Sequence, residues 1–472
     1  MEKKNTWETY SSKQLKELEK INAQYRDFLD NGKTERECID TIVNIIEKSG
    51  YRELESLIKE GAALKTGDKV YSVWMNKSIA MFQIGRKPMT DGMNILGAHI
   101  DSPRLDVKQN PLYEDGGFAY LDTHYYGGVK KYQWVTIPLA IHGVIVKKDG
   151  TCVEINIGES EDDPVFFVSD LLIHLAQEQL EKKAAKVIEG EALDIIVGNK
   201  PLLIDKKDKK KDEKEAGKEA VKAGVLDILK ETYDIHEEDF VSAELEIVPA
   251  GKAREAGFDR SMTLAYGQDD RVCAYTSMQA MLDSDVTDRT MCCILVDKEE
   301  IGSVGATGMQ SHFFENAVAE VMNLAGEYSE LNVRRCLAHS CMLSSDVSSA
   351  FDPTYASSFD KKNVAYLGSG MVINKFTGAR GKSGSNDANA EYLAHLRHIF
   401  DKAEVNFQTA ELGKVDLGGG GTIAYILALY GMNVIDSGVA VLNMHAPWEA
   451  TSKADVYEAY RGYKAFVEGA SL

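Results

Sequence analysis

At 472 residues the chain is long enough for two or three domains of about 150 residues, and its 44% hydrophobic content supplies their cores. Its 74 acidic against 54 basic residues leave a formal charge of -20, which repels a phosphate backbone and excludes a general footprint for nucleic acid. The polar start MEKKNTWETY lacks a signal-peptide core, and no apolar run approaches the roughly 20 residues of a membrane span, so the expectation is a cytoplasmic globular protein without a membrane partner.

The chain opens with SSKQLKELEKINAQYRDFLD and ECIDTIVNIIEKSGY, whose apolar residues recur at helical spacing among Lys and Glu, as in amphipathic helices packed on a sheet. Short β-rich runs follow, YSVWMNKSIAMFQIG and MNILGAHID, the second with the continuous apolar pattern of a buried strand. From about Val107 to Ala250 the texture turns to Gly, aromatic and β-branched segments such as YYGGVKKYQWVTIPLAIHGVIVKKDGTCVEINIG, which predict an inserted, largely antiparallel β domain with some helix. Its mixed-charge run KKDKKKDEKEAGKEA has almost nothing to bury and reads as a solvated helix or loop. Beyond it, the strand-like TMCCILVD and the helical NAVAEVMNLAGEYSEL, NAEYLAHLRHIF and TIAYILALYG predict an α/β core with helices on both faces of a sheet. The expected parts are therefore 1–106 and 251–472 for a core domain and 107–250 for the insertion. Seven cysteines, none in a Cys-x-x-Cys pair, signal neither a disulfide framework nor a thiolate zinc site and read as buried thiols.

Residues with chemistry gather where apolar runs end. In GAHIDSPRLDVK, His99 and Asp101 sit two apart and share one face of an extended segment, so His99 could ligate a metal while Asp101 orients its ring; alone, the pair reads first as a structural hydrogen bond. In YGQDDRVCAY, Asp269 and Asp270 are adjacent carboxylates that need a cation nearby, although Asp-Asp-Arg at a helix start is also a plain charged cap. In MCCILVDKEEIGSVGA a buried strand emerges at Asp297, Glu299 and Glu300, costly positions unless one carboxylate meets a cation while the other accepts a proton from water. Asp346 follows a short apolar run in CMLSSDVSSAFDPTY, and His445 follows another in VAVLNMHAPWEAT. Nitrogen and oxygen donors without thiolate suit zinc, manganese or cobalt. Two such ions sharing a carboxylate perform the task of an aminopeptidase: lowering the pKa of a water, polarising a carbonyl and holding a free amino group.

In their order, GAHIDSPRLDVK, QDDR, DKEEIGS, SSDVSSAFDP, GGGGT and NMHAP resemble the M18 family of metallo-aminopeptidases, the aspartyl aminopeptidase and yeast aminopeptidase 1 group, over nearly the whole chain. The resemblance implies an α/β fold with a mixed sheet of the zinc-peptidase type and an inserted β-rich dimerisation domain. It implies two divalent ions per subunit, zinc first and manganese or cobalt as alternatives: His99 and Asp346 on one, Glu300 and His445 on the other, Asp269 bridging both, and Asp270 only a neighbour. It makes Glu299 the general base and Asp101 the orienting acid, with a peptide bearing a free N-terminus as substrate and a dodecamer built from dimers as the assembly. PVFFVSDLLIHL resembles the family segment whose histidine reaches a neighbouring subunit's active site, which makes His174 a substrate contact; as a pattern, it equally fits a core histidine on an amphipathic helix. GGGGTIAYI, from Gly418, reads as a tight helix entry or as an anion-meeting turn.

Specificity departs from the family pattern. Where acid-preferring members carry a lysine in Val-Ile-Lys and then an Asn-x-x-Gln-Arg-Tyr type motif, this chain has VINKFTGARGKSGSND, with Asn374 at the lysine position, Lys375 beside it and no Gln-Arg-Tyr. Lys375, Arg380 and Lys382 could still supply positive charge, so a neutral or apolar first residue stands beside an acidic one. After His445, Ala446-Pro447-Trp448-Glu449 replaces Ser-x-Arg-Glu and is closer to the related M42 group. Two other readings remain at this point: a dinuclear amidohydrolase acting on acylated amino acids, and a non-catalytic assembly particle.

Overall fold

The computed structural model describes residues 5–202, 219–378 and 380–471, so most of the mixed-charge run, 206–218, lies outside the described residues, as do residues 1–4. The chain divides into two compact units, one formed by Met1–Ser102, Ala253–Met444 and Trp448–Leu472, the other by Pro103–Lys252 with His445–Pro447.

In the first unit a nine-stranded mixed sheet is the centre. Its order is Arg52–Glu53, Lys69–Trp74, Ser78–Gln83, Thr290–Val296, Met93–His99, Cys341–Ser345, Asn433–Gly438, Met371–Asn374 and Phe407–Thr409. Thr290–Val296, Met93–His99, Cys341–Ser345 and Asn433–Gly438 run parallel, while Ser78–Gln83 and Met371–Asn374 flank them antiparallel. Because side chains alternate across a strand, each parallel strand feeds two cores. Leu96 and Ala98, with Met291, Cys293 and Leu295, pack on one side against helices Ser12–Asn31, Glu35–Lys48, Gln268–Leu282 and Lys453–Gly469. Met93 and Ile95, with Cys292, Ile294 and Val296, pack on the other against Leu54–Glu60, Phe313–Leu324 and Glu330–Ala338. Each fully buried Leu, Ile, Val or Met side chain here contributes about 1.5–3 kcal/mol.

Local chemistry defines the helix ends. Ser11 and Thr34 cap Ser12–Asn31 and Glu35–Lys48 with capping boxes closed by Gln14 and Glu37, and the first helix then buries Leu18, Ile21, Tyr25, Phe28 and Leu29 at helical spacing. The run TIAYILALYG yields only the short helix Ala424–Ala428, and NAVAEVMNLAGEYSEL is cut near Gly326, whose φ is 75°. Six cysteines are buried and Cys152 is exposed; all seven are free thiols. No helix among the described residues is long and apolar enough to cross a membrane.

The second unit is built on a six-stranded sheet, ordered Cys152–Ile157, Leu139–Val146, Ala243–Pro249, Arg104–Asp115, Phe118–Tyr126 and Ile195–Gly198, with every neighbouring pair antiparallel. Its segment 165–175 leaves Val165, Phe167, Leu171, Leu172, Ile173 and Leu175 exposed. His174 lies in that stretch, on the short 3-10 turn Ile173–Leu175, and is itself exposed. The alternative of a core histidine on an amphipathic helix is therefore corrected: the apolar period is present, but no described residue covers it.

Candidate metal centre

Register brings the site together. His99 pairs with Val296 across parallel strands and Gly97 with Ser344, so three adjacent strands end at one edge of the sheet, where parallel α/β sheets place their ligands. From this edge project His99 and Asp101, then Glu299 and Glu300, then Asp346. Asp269 joins them from the start of Gln268–Leu282, where the backbone of Asp269 (φ -79, ψ 105) and Asp270 (φ -118, ψ 28) departs from the helix.

His99 Nε2 lies 3.3 Å from Asp269 Oδ1, 4.0 Å from Asp346 Oδ1 and 3.9 Å from Glu299 Oε2. Ligand atoms of His99, Asp269 and Asp346 all fall within 4.8 Å of one another, and carboxylate oxygens of Asp269 and Glu300 do the same. The other ring nitrogen of His99, Nδ1, sits 3.0 Å from the Asp101 carbonyl and 3.2 Å from its Oδ1. Asp101 does more than face the imidazole. Its Oδ1 accepts the backbone N–H of Glu299 and its Oδ2 that of Glu300, both at 3.1 Å, so one buried carboxylate anchors the turn that carries both glutamates.

Asp270 is fully buried, its Oδ2 3.4 Å from the His99 amide. Arg271 donates to the carbonyls of Ile100 and Lys33, and so fixes the chain beside the site. Asp297 accepts from the Thr307 hydroxyl at 2.5 Å and pairs with Lys298 at 3.2 Å; burial, with Glu35 and Asp101 adding to it, pushes its carboxyl up to about 6. His445 follows strand Ala440–Leu442 at φ 64°, and its Nδ1 lies 2.9 Å from the Gly128 carbonyl, both residues of the second unit. The glycine turn before Thr422 opens a helix of only five residues; Gly420 donates its N–H to the Thr377 carbonyl at 3.1 Å, and the Thr422 hydroxyl donates to Asp436 Oδ1 at 2.6 Å.

The donor set decides what can sit here. Asp346 is held well above the usual carboxylate range by burial first and then by the charges of Asp270 and Glu299. A dense group of carboxylates with one imidazole and no thiolate fits a divalent cation of the zinc, manganese or cobalt kind. Ser102 and Glu449 lie inside GAHIDSPRLDVK and VAVLNMHAPWEAT, yet the sequence pattern assigns neither a role, since a side chain that bonds a distant peptide group leaves no local motif; both bond the backbone of Asp269.

Residues 28–467 match the model of the family described as aminopeptidase I zinc metalloprotease (M18). A Clostridium acetobutylicum protein named "Probable M18 family aminopeptidase 1" is 63% identical over 99% of this chain and 98% of its own. The M18 aminopeptidase crystal structure from Thermotoga maritima superposes with a TM-score of 0.92 at 44% identity, covering 100% of both chains. Aminopeptidase I from Clostridium acetobutylicum gives 0.90 at 61% identity, covering 99% of each. Yeast aminopeptidase 1, at 21% identity and a TM-score of 0.75 over 95% of this chain and 97% of its own, shares the fold. The chain therefore belongs to the M18 family of zinc metallo-aminopeptidases.

Proposed function

We propose that this aminopeptidase works through a dinuclear site in which His99 and Asp346 bind one ion, Glu300 and His445 the other, and Asp269 both. The observation that carries it is the double membership of Asp269, within ligand distance of His99 and Asp346 and also of Glu300. The Nδ1 contact of His445 with the Gly128 carbonyl is the arrangement in which Nε2 keeps the lone pair needed of a ligand. Two divalent ions, zinc first, would supply the positive charge that polarises the scissile carbonyl and acidifies the attacking water.

Glu299 takes a proton from that water as its oxygen attacks the carbonyl carbon, then delivers it to the leaving nitrogen as the C–N bond breaks. Asp101 holds Glu299 by its backbone amide and His99 by its ring, so the base and a ligand share one anchor. For the first residue of the peptide we propose a neutral side chain. Asn374 is buried and donates to Ser348 Oγ at 3.4 Å, two residues beyond Asp346, while Lys375 and Lys382 are both engaged by Asp387 at 2.5 and 2.8 Å. We place the enzyme in the cytoplasm and expect dimers through the exposed 165–175 stretch, with His174 reaching a neighbouring copy, and a dodecamer like that of the yeast mApe1 structure.

Elemental analysis should find about two divalent ions per chain. Glu299→Gln should keep them and lose turnover on peptides with a free amino terminus; a variant that still turns over removes Glu299 as the base. N-acetylated peptides should be inert.

A further inference from the structure

Two side chains without a proposed ligand role hold the peptide backbone of Asp269 from opposite sides. Its N–H donates to Glu449 Oε2 at 3.0 Å, and its carbonyl accepts from the Ser102 hydroxyl at 2.7 Å. Glu449 is 1% exposed and Ser102 0%, so water does not compete for either bond. Both holders are themselves fixed. Glu449 opens strand Glu449–Ser452, in register with Ala265, and its carbonyl accepts from Gln268 Nε2 at 2.6 Å. Gln268 Oε1 in turn accepts from Thr451 at 2.7 Å and from Tyr25 at 3.1 Å. Ser102 follows directly on Asp101. At Asp269 and Asp270 the backbone is non-helical, so the helix's own hydrogen-bond ladder does not set the direction of the Asp269 side chain.

We propose that Glu449 and Ser102 are positioning residues for the aminopeptidase reaction, a two-sided backbone clamp that aims the Asp269 carboxylate at both ions. The inference rests on Asp269 being the shared ligand. Outer partners of this kind commonly change metal affinity by about 10- to 100-fold, and here the partner acts through the main chain of the ligand rather than through its carboxylate.

The test uses the full-length protein. Zinc affinity is measured by competition with a chromophoric chelator, the visible spectrum of the cobalt-substituted protein is recorded, and the metal-free melting temperature reports folding. Asp269→Asn serves as the reference. Glu449→Ala should weaken zinc by about 10- to 100-fold and alter the cobalt spectrum. Glu449→Gln, which keeps an oxygen toward the Asp269 amide, should recover most of both. Ser102→Ala should weaken zinc in the same direction and carries the test should Glu449→Ala fail to fold. Unchanged affinity and spectrum in Glu449→Ala or Ser102→Ala, with Asp269→Asn strongly impaired, overturns the clamp alone. Unchanged affinity in Asp269→Asn overturns the ligand assignment beneath it.

Discussion

Replacing Asp101 by Asn removes one acceptor while keeping shape and volume. In the native protein Oδ1 faces the Glu299 N–H and Oδ2 the Glu300 N–H, each at 3.1 Å, and Oδ1 also lies 3.2 Å from His99 Nδ1. Asparagine must turn its amide nitrogen toward one of these donors, so one charge-assisted hydrogen bond becomes a clash of two N–H groups. A bond to a charged acceptor is worth about 1.5–3 kcal/mol, and about 1.4 kcal/mol is a factor of ten. If the loss falls on the placement of Glu299, kcat/KM drops by about 10- to 100-fold. Part of it can instead appear as a lower melting temperature. The assay is kcat/KM on an unblocked dipeptide with the metal saturating, together with thermal unfolding of the same sample. Activity within about twofold of the parent and an unshifted melting temperature would refute the idea that this carboxylate anchors the glutamate turn.

Gly438→Ala places a methyl group into the Asp346 carbonyl and 3.3 Å from Cys273 Sγ, so backbone must shift at a ligand-bearing strand end; stability should fall by about 1–3 kcal/mol with a matching loss of bound metal, read by denaturation and elemental analysis. Asp436 is pushed up to about 7 by burial, against the Thr422 hydroxyl hydrogen bond that lowers it. Its raised folded-state value means its contribution is complete below the ordinary value near 3.8 and is lost as pH rises through about 7, a fall on the order of a few kcal/mol; Asp436→Asn should flatten unfolding free energy across that window, and an unchanged slope would count against it. Asp455 accepts the N–H of Gly368 at 2.8 Å on one oxygen and that of Gly370 at 2.7 Å on the other, so Asp455→Asn should cost about 1–3 kcal/mol in chemical denaturation, whereas a neutral result would mean that only one of these bonds matters.

Much of this was legible in the chain. Apolar runs such as MNILGAH and TMCCILV announce strands buried on both faces, and the polar residues just past their ends, His99, Asp101, Glu299 and Glu300, mark the sheet edge where chemistry collects. Strand order was not legible, because pairing Thr290–Val296 with both Ser78–Gln83 and Met93–His99 joins segments about two hundred residues apart, and no local pattern encodes such closure. Helical period misled at PVFFVSDLLIHL, which has the apolar residues of a core helix, yet Ile173 and Leu175 are exposed. The clamp on Asp269 was invisible for a third reason. Glu449 and Ser102 act on a peptide group, and peptide groups are the same at every position.

The split allegiance of the central strands, with odd and even residues packed into different cores, bears on how ligand geometry survives mutation. Sliding Thr290–Val296 by a single residue would exchange the contents of both cores and turn Glu299 away from its neighbours at once. Such an error is penalised across the whole sheet long before it is felt in turnover. The spacing of the carboxylates at that edge is therefore set by interior residues that take no part in the chemistry.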